Sequence, residues 1–576
     1  MIQCLTLWPA LAALILFTSC ARQDKFAAFV DNYVDAANRW SPTAAVENGF
    51  HEYDNLIEDR TPAAHNRRMR QLRIHLTELA ELRQAGLTTQ EAIDADMIEA
   101  QVRGELFDID ELKTWQRNPM RSALIPGNAL DAVMKRNFAP ARDRMQSATA
   151  RLNGVPALMT ALRDATLNPA PEFTDLAIGV LQGTVPFLKD EVAKWAHESA
   201  AGDQALISAF DKSNSAALTS IEKTIDWMKT ELKPRSQGSF ALGREAYAKK
   251  LLYDEMVDIP LDRLLEIGER NMEKDYQDLI ATAKKLAPNA KPEDTVRHIS
   301  DDHPAAGELV SAAKATLEET RQFLIDHHIV TVPSEVRPIV EETPSFARSG
   351  SFASMSSPGA FETKAKEAYY FVTPVEPGWT AQEKDLHLRL FNPSVMKIIT
   401  IHEVFPGHYL QFLYAPQFPS KTRKLLGAAS NAEGWAHYSE QMMLEQGFGQ
   451  GGDEKAALRI RIAQLQEALI RDCRYVAGIK LHTQGWTVEQ ATQLFMDKTL
   501  YGRPVAYPEA RRGTFDPTYL YYTLGKLMIY KLRDDYKAAK GTAYSLEAFH
   551  NEFVRQGSPP IKLVRRVLLG NDGPLL

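Results

Sequence analysis

Apolar residues recur at intervals of three and four along most of this chain. Phe26, Phe29, Val30, Tyr33 and Val34 form one such stripe, and Leu72, Ile74, Leu76, Leu79 and Leu82 belong to a second. That spacing puts side chains on one face of a 3.6-residue helix, so helices are predicted from Lys25 to about Asn118. Thr88 to Glu91 (T-T-Q-E) has the form of a capped helix start, and Thr487 to Gln490 (T-V-E-Q) repeats it. The same texture runs from Ala129 to about Leu232, broken at Pro140, Pro156, Pro169 and Pro171. After a turn region at Gly238 to Gly243 it resumes from Arg244 to Leu286, with Pro260 opening a helix.

Between Pro288 and Pro393 the pattern changes. Prolines and small residues become frequent, and Ser345 to Gly359 is expected to be an exposed loop. Ala368 to Val372 (A-Y-Y-F-V) is the most strand-like run, and a lone strand needs partners, so a small sheet is expected there. Helical spacing returns at Pro393 and continues nearly to the end. Asp516-Pro517 is expected to cap and open a helix through about Tyr536. The fold class is therefore mainly α, a large helical fold with a small β-sheet near the cleft. A division into residues 21–240 and 241–576 is drawn at the turn region, and one continuous domain would also fit.

At 576 residues the chain can bury a large core. A net charge of -7 without a long basic run gives nucleic acid no footprint. Residues 1–20 stand apart: Leu5 to Phe17 is almost wholly apolar and ends in F-T-S-C at Cys20. This stretch resembles a bacterial lipoprotein signal, in which Cys20 becomes the lipidated first residue and Ala21 favours the outer membrane. It departs from that pattern in having no Lys or Arg before the apolar run and Phe17 where Leu is usual. A plain secretory signal cut near Ala21 and an uncleaved anchor remain as alternatives. Once the segment is removed, Cys473 is the one thiol besides Cys20, and a packed core thiol fits it better than a nucleophile.

Chemistry concentrates in Ile398 to Gln411, I-I-T-I-H-E-V-F-P-G-H-Y-L-Q. Helical zinc hydrolases carry H-E-x-x-H, whose histidines share a face while the glutamate reaches the metal-bound water. Here His402 and His408 are six apart, about 240° of helix rotation. Removing Pro406 and Gly407, the residues least suited to a helix interior, restores H-E-V-F-H. A bulge there is expected to return His408 towards His402. The plainer alternative is packing, since Val395, Ile399 and His402 lie on one stripe. A third ligand is sought in Asn431 to Gln446, where Glu433, His437 and Glu440 share a face at i, i+4 and i+7. Glu433 is the first choice, with His437 in reserve as a ligand or as a partner to one.

H-E-V-F-P-G-H-Y-L-Q followed by E-G-W-A-H-Y-S-E resembles the bacterial domain of unknown function family 885, whose motifs group it with zinc metallopeptidases of the gluzincin type. The resemblance covers most of the chain after the signal. It implies His402, His408 and Glu433 as ligands of one zinc ion, Glu403 as general base and a peptide as substrate. It further matches Tyr522, in Y-Y-T-L-G, and His482, in R-D-C-R-Y-V-A-G-I-K-L-H, as candidate donors to the oxyanion. The family often has His where this chain has Tyr409. Arg471, Arg503 and Arg512 are candidates to pair with a substrate carboxylate, salt bridging being the alternative for each. Ala368 to Val372 is a candidate for binding an extended peptide by strand addition. The expected function is an exported zinc metallopeptidase. The same ligands would serve a hydrolase of another amide or ester, and a lipoprotein that binds without catalysis is the third possibility.

Overall fold

The computed structural model describes residues 25–576 except Ser351. It is 72 % helical and holds one three-stranded sheet, so the mainly α class with a small sheet is what the chain adopts. Helix begins over residues 25–40, and Phe26, Phe29, Val30, Tyr33 and Val34 turn inward against Leu72 and Leu79 of Pro62–Ala85. Ile74 does not join them and is 56 % exposed. Two residues after Leu72, it is rotated about 200° from the buried stripe. Both predicted capping boxes are present, Thr88 with Glu91 and Thr487 with Gln490.

Apolar side chains gather into several clusters. One lies wholly among early helices apart from Ala365, around Leu152 of Ala141–Ala165 and Phe210 of Gln204–Trp227. The largest wraps the helix Pro393–Glu403, bringing Val395, Ile399 and Ile401 together with Trp435, Leu524 and Phe553. Cys473 is buried and free in a third cluster, where Glu454–Thr483 packs on Leu261–Leu286.

The sheet consists of β1 (Ile339–Glu342), β2 (Ala353–Ser356) and β3 (Tyr369–Val372). β3 is central, parallel to β1 and antiparallel to β2, with Tyr370 opposite both Val340 and Met355. Two expectations change here. The segment predicted as an exposed loop folds into a short 3-10 turn, Ser345–Gly350, and then β2. Its A-S-M-S sequence lacks the β-branched signal and forms a strand by pairing with β3. Ala368 to Val372, taken as a site for strand addition, has a neighbour on each edge, so its ladder groups are already engaged. The sheet is fixed to the site by a contact of 3.3 Å between the Tyr370 and Thr400 hydroxyls.

The Asp516-Pro517 expectation also shifts, because the helix runs Tyr521–Lys540. Asp516 accepts hydrogen bonds from Arg512 and from the Tyr521 hydroxyl. Among the described residues no helix is long and apolar enough to cross a membrane.

Candidate metal centre

Asn392 caps the helix Pro393–Glu403 by accepting hydrogen bonds from the Ser394 and Val395 amides at 3.2 and 3.1 Å. Pro406 has no amide proton to continue the ladder, so the helix ends at Glu403 and a second one, His408–Leu413, starts after a turn. The turn is compact. The Gly407 amide donates to the Ile401 carbonyl at 2.9 Å, and the Leu410 amide to Val404 at 3.1 Å. A Cβ on Gly407 would lie 1.7 Å from the His402 carbonyl oxygen, so only glycine lets the chain fold back this tightly. The two extra residues make a break between helices where the sequence suggested a bulge within one. Either way the imidazoles meet: the rings of His402 and His408 are 4.9 Å apart and perpendicular.

The glutamate helix, Ala429–Glu445, is laced to this turn. Its Trp435 indole N–H donates to the Pro406 carbonyl at 2.8 Å, and Asn431 accepts from Gln411 at 3.0 Å. Its own N-cap, Ala428, has no side chain to offer, and the Glu255 carboxylate accepts from the Ser430 amide at 2.9 Å instead. Held this way, Glu433 places Oε2 3.3 Å from Nε2 of both His402 and His408. One donor atom from each of the three lies within 4.8 Å of the others. Glu433 keeps 26 % of its side chain open to solvent, so the donors line a recess.

His402 Nδ1 contacts Glu440 Oε1 at 2.7 Å, which turns Nε2 inward. The other Glu440 oxygen is 3.1 Å from His437 Nδ1, and His437 therefore stands one step behind the ligand set. Burial would raise the Glu433 carboxyl, but the charge of His408 and hydrogen bonds with both imidazoles hold it well below the usual range. Burial would lower His402, but its bonds to Glu433 and Glu440 raise it to about 9. These groups share protons where a cation would take the protons' place. Glu403 is 9 % exposed, and its carboxylate has no hydrogen-bond or ion-pair partner among the described residues.

Tyr522 arrives by a glycine contact. Gly525 of Tyr521–Lys540 faces Gly434, where a Cβ would fall 1.9 Å from the Ser430 carbonyl, so the two helix backbones touch. The Tyr522 ring then lies 6.3 Å from the His402 ring, with its hydroxyl accepting from Arg512 Nη2 at 3.1 Å. Burial and the charge of Glu433 raise its phenol above the ordinary value.

His482 stands elsewhere. It lies eleven residues beyond Arg471 on Glu454–Thr483, on the same face but about 16 Å further along. Its Nε2 meets the Gly513 carbonyl at 2.7 Å, its ring stacks on Tyr247, and burial lowers it to about 4. Among the described residues its ring contacts Gly513, Tyr247 and Phe240 and none of the other site residues, so the oxyanion role suggested for it has no geometric support. Arg503 is paired with Glu489 at the surface, while Arg471 joins Glu467 and comes within 3.8 Å of Glu440. Sequence alone gave no role to Glu440, Trp435 or Glu255. For Glu440 the signal existed, because it shares Glu433's helix face at i+7.

The fold and this corner together define a large helical protein with a two-histidine, one-glutamate cluster in an open recess. The chain belongs to the family described as bacterial protein of unknown function, DUF885, whose model matches residues 42–568. Two solved structures are similar over nearly their whole length. One, described as a predicted lipoprotein of unknown function from Shewanella oneidensis, is 29 % identical with a TM-score of 0.77, covering 94 % of this chain and 99 % of its own. The other, a predicted lipoprotein from Colwellia psychrerythraea, is 17 % identical with a TM-score of 0.80 over 95 % and 98 %, and shows the same fold. A search of the curated proteins gives no match.

Proposed function

We propose that this protein is a zinc-dependent peptidase, exported and anchored by lipid on Cys20 to the outer membrane, facing the periplasm. The observation that carries the catalytic part is an unpartnered carboxylate, Glu403, adjacent in sequence to one of three convergent donors. A site built for binding alone has no use for a base there. The donor set suits zinc: two imidazole nitrogens and one carboxylate, with one imidazole oriented by Glu440 and one side open. Bound there, zinc would lower the pKa of water from 15.7 towards about 7 and polarise a carbonyl. Glu403 takes the proton of the attacking water and delivers it to the leaving amine. The Tyr522 hydroxyl, fixed by Arg512, donates to the oxygen that gains charge. The anchor rests on the F-T-S-C sequence and on the lipoprotein description of the relative at 29 % identity. Cys20 itself lies outside the described residues.

The test is digestion of a peptide library by zinc-loaded protein, with and without chelator, beside Glu403→Gln. Cleavage that chelator stops, and that Glu403→Gln lowers by about 10²–10⁴-fold, is the expected result. Equal rates for wild type and Glu403→Gln would end the peptidase reading. Intact peptides together with cleaved small amides or esters would move the protein to the neighbouring hydrolase class.

A further inference from the structure

Arg471, Arg474 and Arg512 each keep a nitrogen without a hydrogen-bond partner among the described residues, and Arg512 differs in exposure, 29 % of its side chain against 11 % and 9 %. Its Nε and Nη2 donate to Asp516 Oδ2 at 3.2 and 3.0 Å, and Nη2 also donates to Tyr522. Nη1 has no partner among the described residues, and 29 % of the side chain is exposed. Arg474, by contrast, is clamped by both oxygens of Glu509 at 2.7 and 2.9 Å and is 9 % exposed. Arg471 is held by Glu467. All three lie within 6.0 Å of the Tyr522 ring centre, and Asp516, Glu509 and Glu467 balance them one for one. An incoming anion would meet a guanidinium already fixed in place by Asp516.

The spacing says which anion. Tyr522 and Arg512 are in contact at 3.1 Å, and the Tyr522 hydroxyl proton is donated to no described group. Along an extended peptide, one carbonyl and the next are about 3.5 Å apart. A first carbonyl at the Tyr522 hydroxyl would leave the second within reach of the Arg512 guanidinium, whose Nη2 is 3.1 Å from that hydroxyl. Building on the hydrolase reading above, we propose that Arg512 binds the substrate's C-terminal carboxylate, so that the site removes residues from the C-terminal end of peptides.

Three matched peptides test this: a free acid, its C-terminal amide, and an amide ending in glutamate, whose carboxylate is on the side chain. For wild type, kcat/KM for the acid should exceed that for the plain amide by about 10- to 100-fold, the range of a charge-assisted hydrogen bond. In Arg512→Met the acid-to-amide ratio should fall to about one, and in Arg512→Lys to an intermediate value, since the charge stays and the fork is lost. Because the readout is a ratio, a general loss of activity does not imitate it. Binding of the same peptides to Glu403→Gln protein, followed by fluorescence anisotropy, gives a second readout free of turnover. Equal cleavage of acid and amide by wild type overturns this inference and leaves the peptidase reading standing. A glutamyl amide as good as the acid overturns it in favour of side-chain recognition. No cleavage, with the acid still bound in preference, supports the subsite while ending the peptidase reading. No cleavage and no preference end both.

Discussion

Two buried polar neighbourhoods flank the glutamate helix, and they are made of similar residues. In front are His402, His408, Glu433 and Glu403, around a recess. Behind are Asp275, Asp472 and Lys526, each at most 3 % exposed, with Asn271 and Thr523. Behind, most of the polar groups answer one another. Asp472 Oδ1 accepts from Asn271 at 2.9 Å and Thr523 at 2.8 Å, and Lys526 stands 3.6 Å from Asp275. In front, His402, His408 and Glu433 bring one donor atom each within 4.8 Å of the others, and the Glu403 carboxylate has no partner among the described residues. Acids and bases cluster in both places, and the rear too keeps buried atoms without a hydrogen-bond partner, Asp472 Oδ2 and His437 Nε2; what separates the front is that its donor atoms converge. Glu440 joins the two, with one oxygen on His402 and the other on His437. His437 belongs to the rear: burial and the charge of Lys526 lower it to about 4.

The sharpest way to break this comparison is to remove one member of each group and weigh the metal. His408→Ala should reduce bound zinc from one ion per chain to nearly none by mass spectrometry after dialysis. Lys526→Met should keep the zinc while lowering stability by about 1–3 kcal/mol, less than the penalty for a wholly unpaired buried charge because Asp275 keeps the exposed Lys274 at 3.2 Å. Metal loss in Lys526→Met, or metal kept in His408→Ala, would erase the distinction drawn here. Glu440→Gln tests the link between the groups. It should weaken zinc by about 10- to 100-fold in chelator competition, because the imidazole it orients still carries the donor atom.

The two-histidine, one-glutamate corner was legible in sequence because its information is local. His402 and Glu403 are adjacent, Pro406 and Gly407 announce a break, and Glu433 follows within one helix-turn-helix distance. Tyr522 was harder, since its approach depends on Gly434 meeting Gly525, a contact between helices 91 positions apart that neither periodicity nor capping encodes. His482 shows the limit. Its neighbours in sequence match a motif, but only the register along a 30-residue helix decides that it faces Tyr247 and Gly513. β2 was missed for a similar reason, because its strand character comes from β3. The glycine contact can be checked directly: Gly525→Ala should destabilise by about 1–3 kcal/mol in chemical denaturation, as overpacking at a helix crossing does.

The smallest effect concerns protons on two buried carboxyls, Asp472 behind the helix and Glu255 at its N-terminus. Burial, reinforced by the nearby charge of Asp275, pushes the Asp472 carboxyl up to about 7, and burial pushes Glu255 up to about 7 against the opposing bonds from Ser430. In the unfolded chain both lose their protons near pH 4. A folded state that holds protons the unfolded state has released is favoured at low pH, so the contribution of these two carboxyls should fall as pH rises from about 4 to about 7 and then level off. His402 acts in another window. In ion-free protein its rise to about 9 stabilises below about 6.5, and that contribution fades between about 6.5 and 9. Between about pH 4 and 6.5 the buried His437, His482 and His550 titrate in the opposite sense, so the carboxyls are read as the difference in thermal midpoint between each variant and wild type, both as chelated protein. Asp472→Asn should flatten part of the fall and Glu255→Gln another part, the amide in each case keeping an acceptor oxygen for its partners. If both variants keep the wild-type slope, Asp472 behind the helix and Glu255 at its N-terminus are ionised in the folded protein, and their hydrogen bonds hold charged rather than neutral carboxyls.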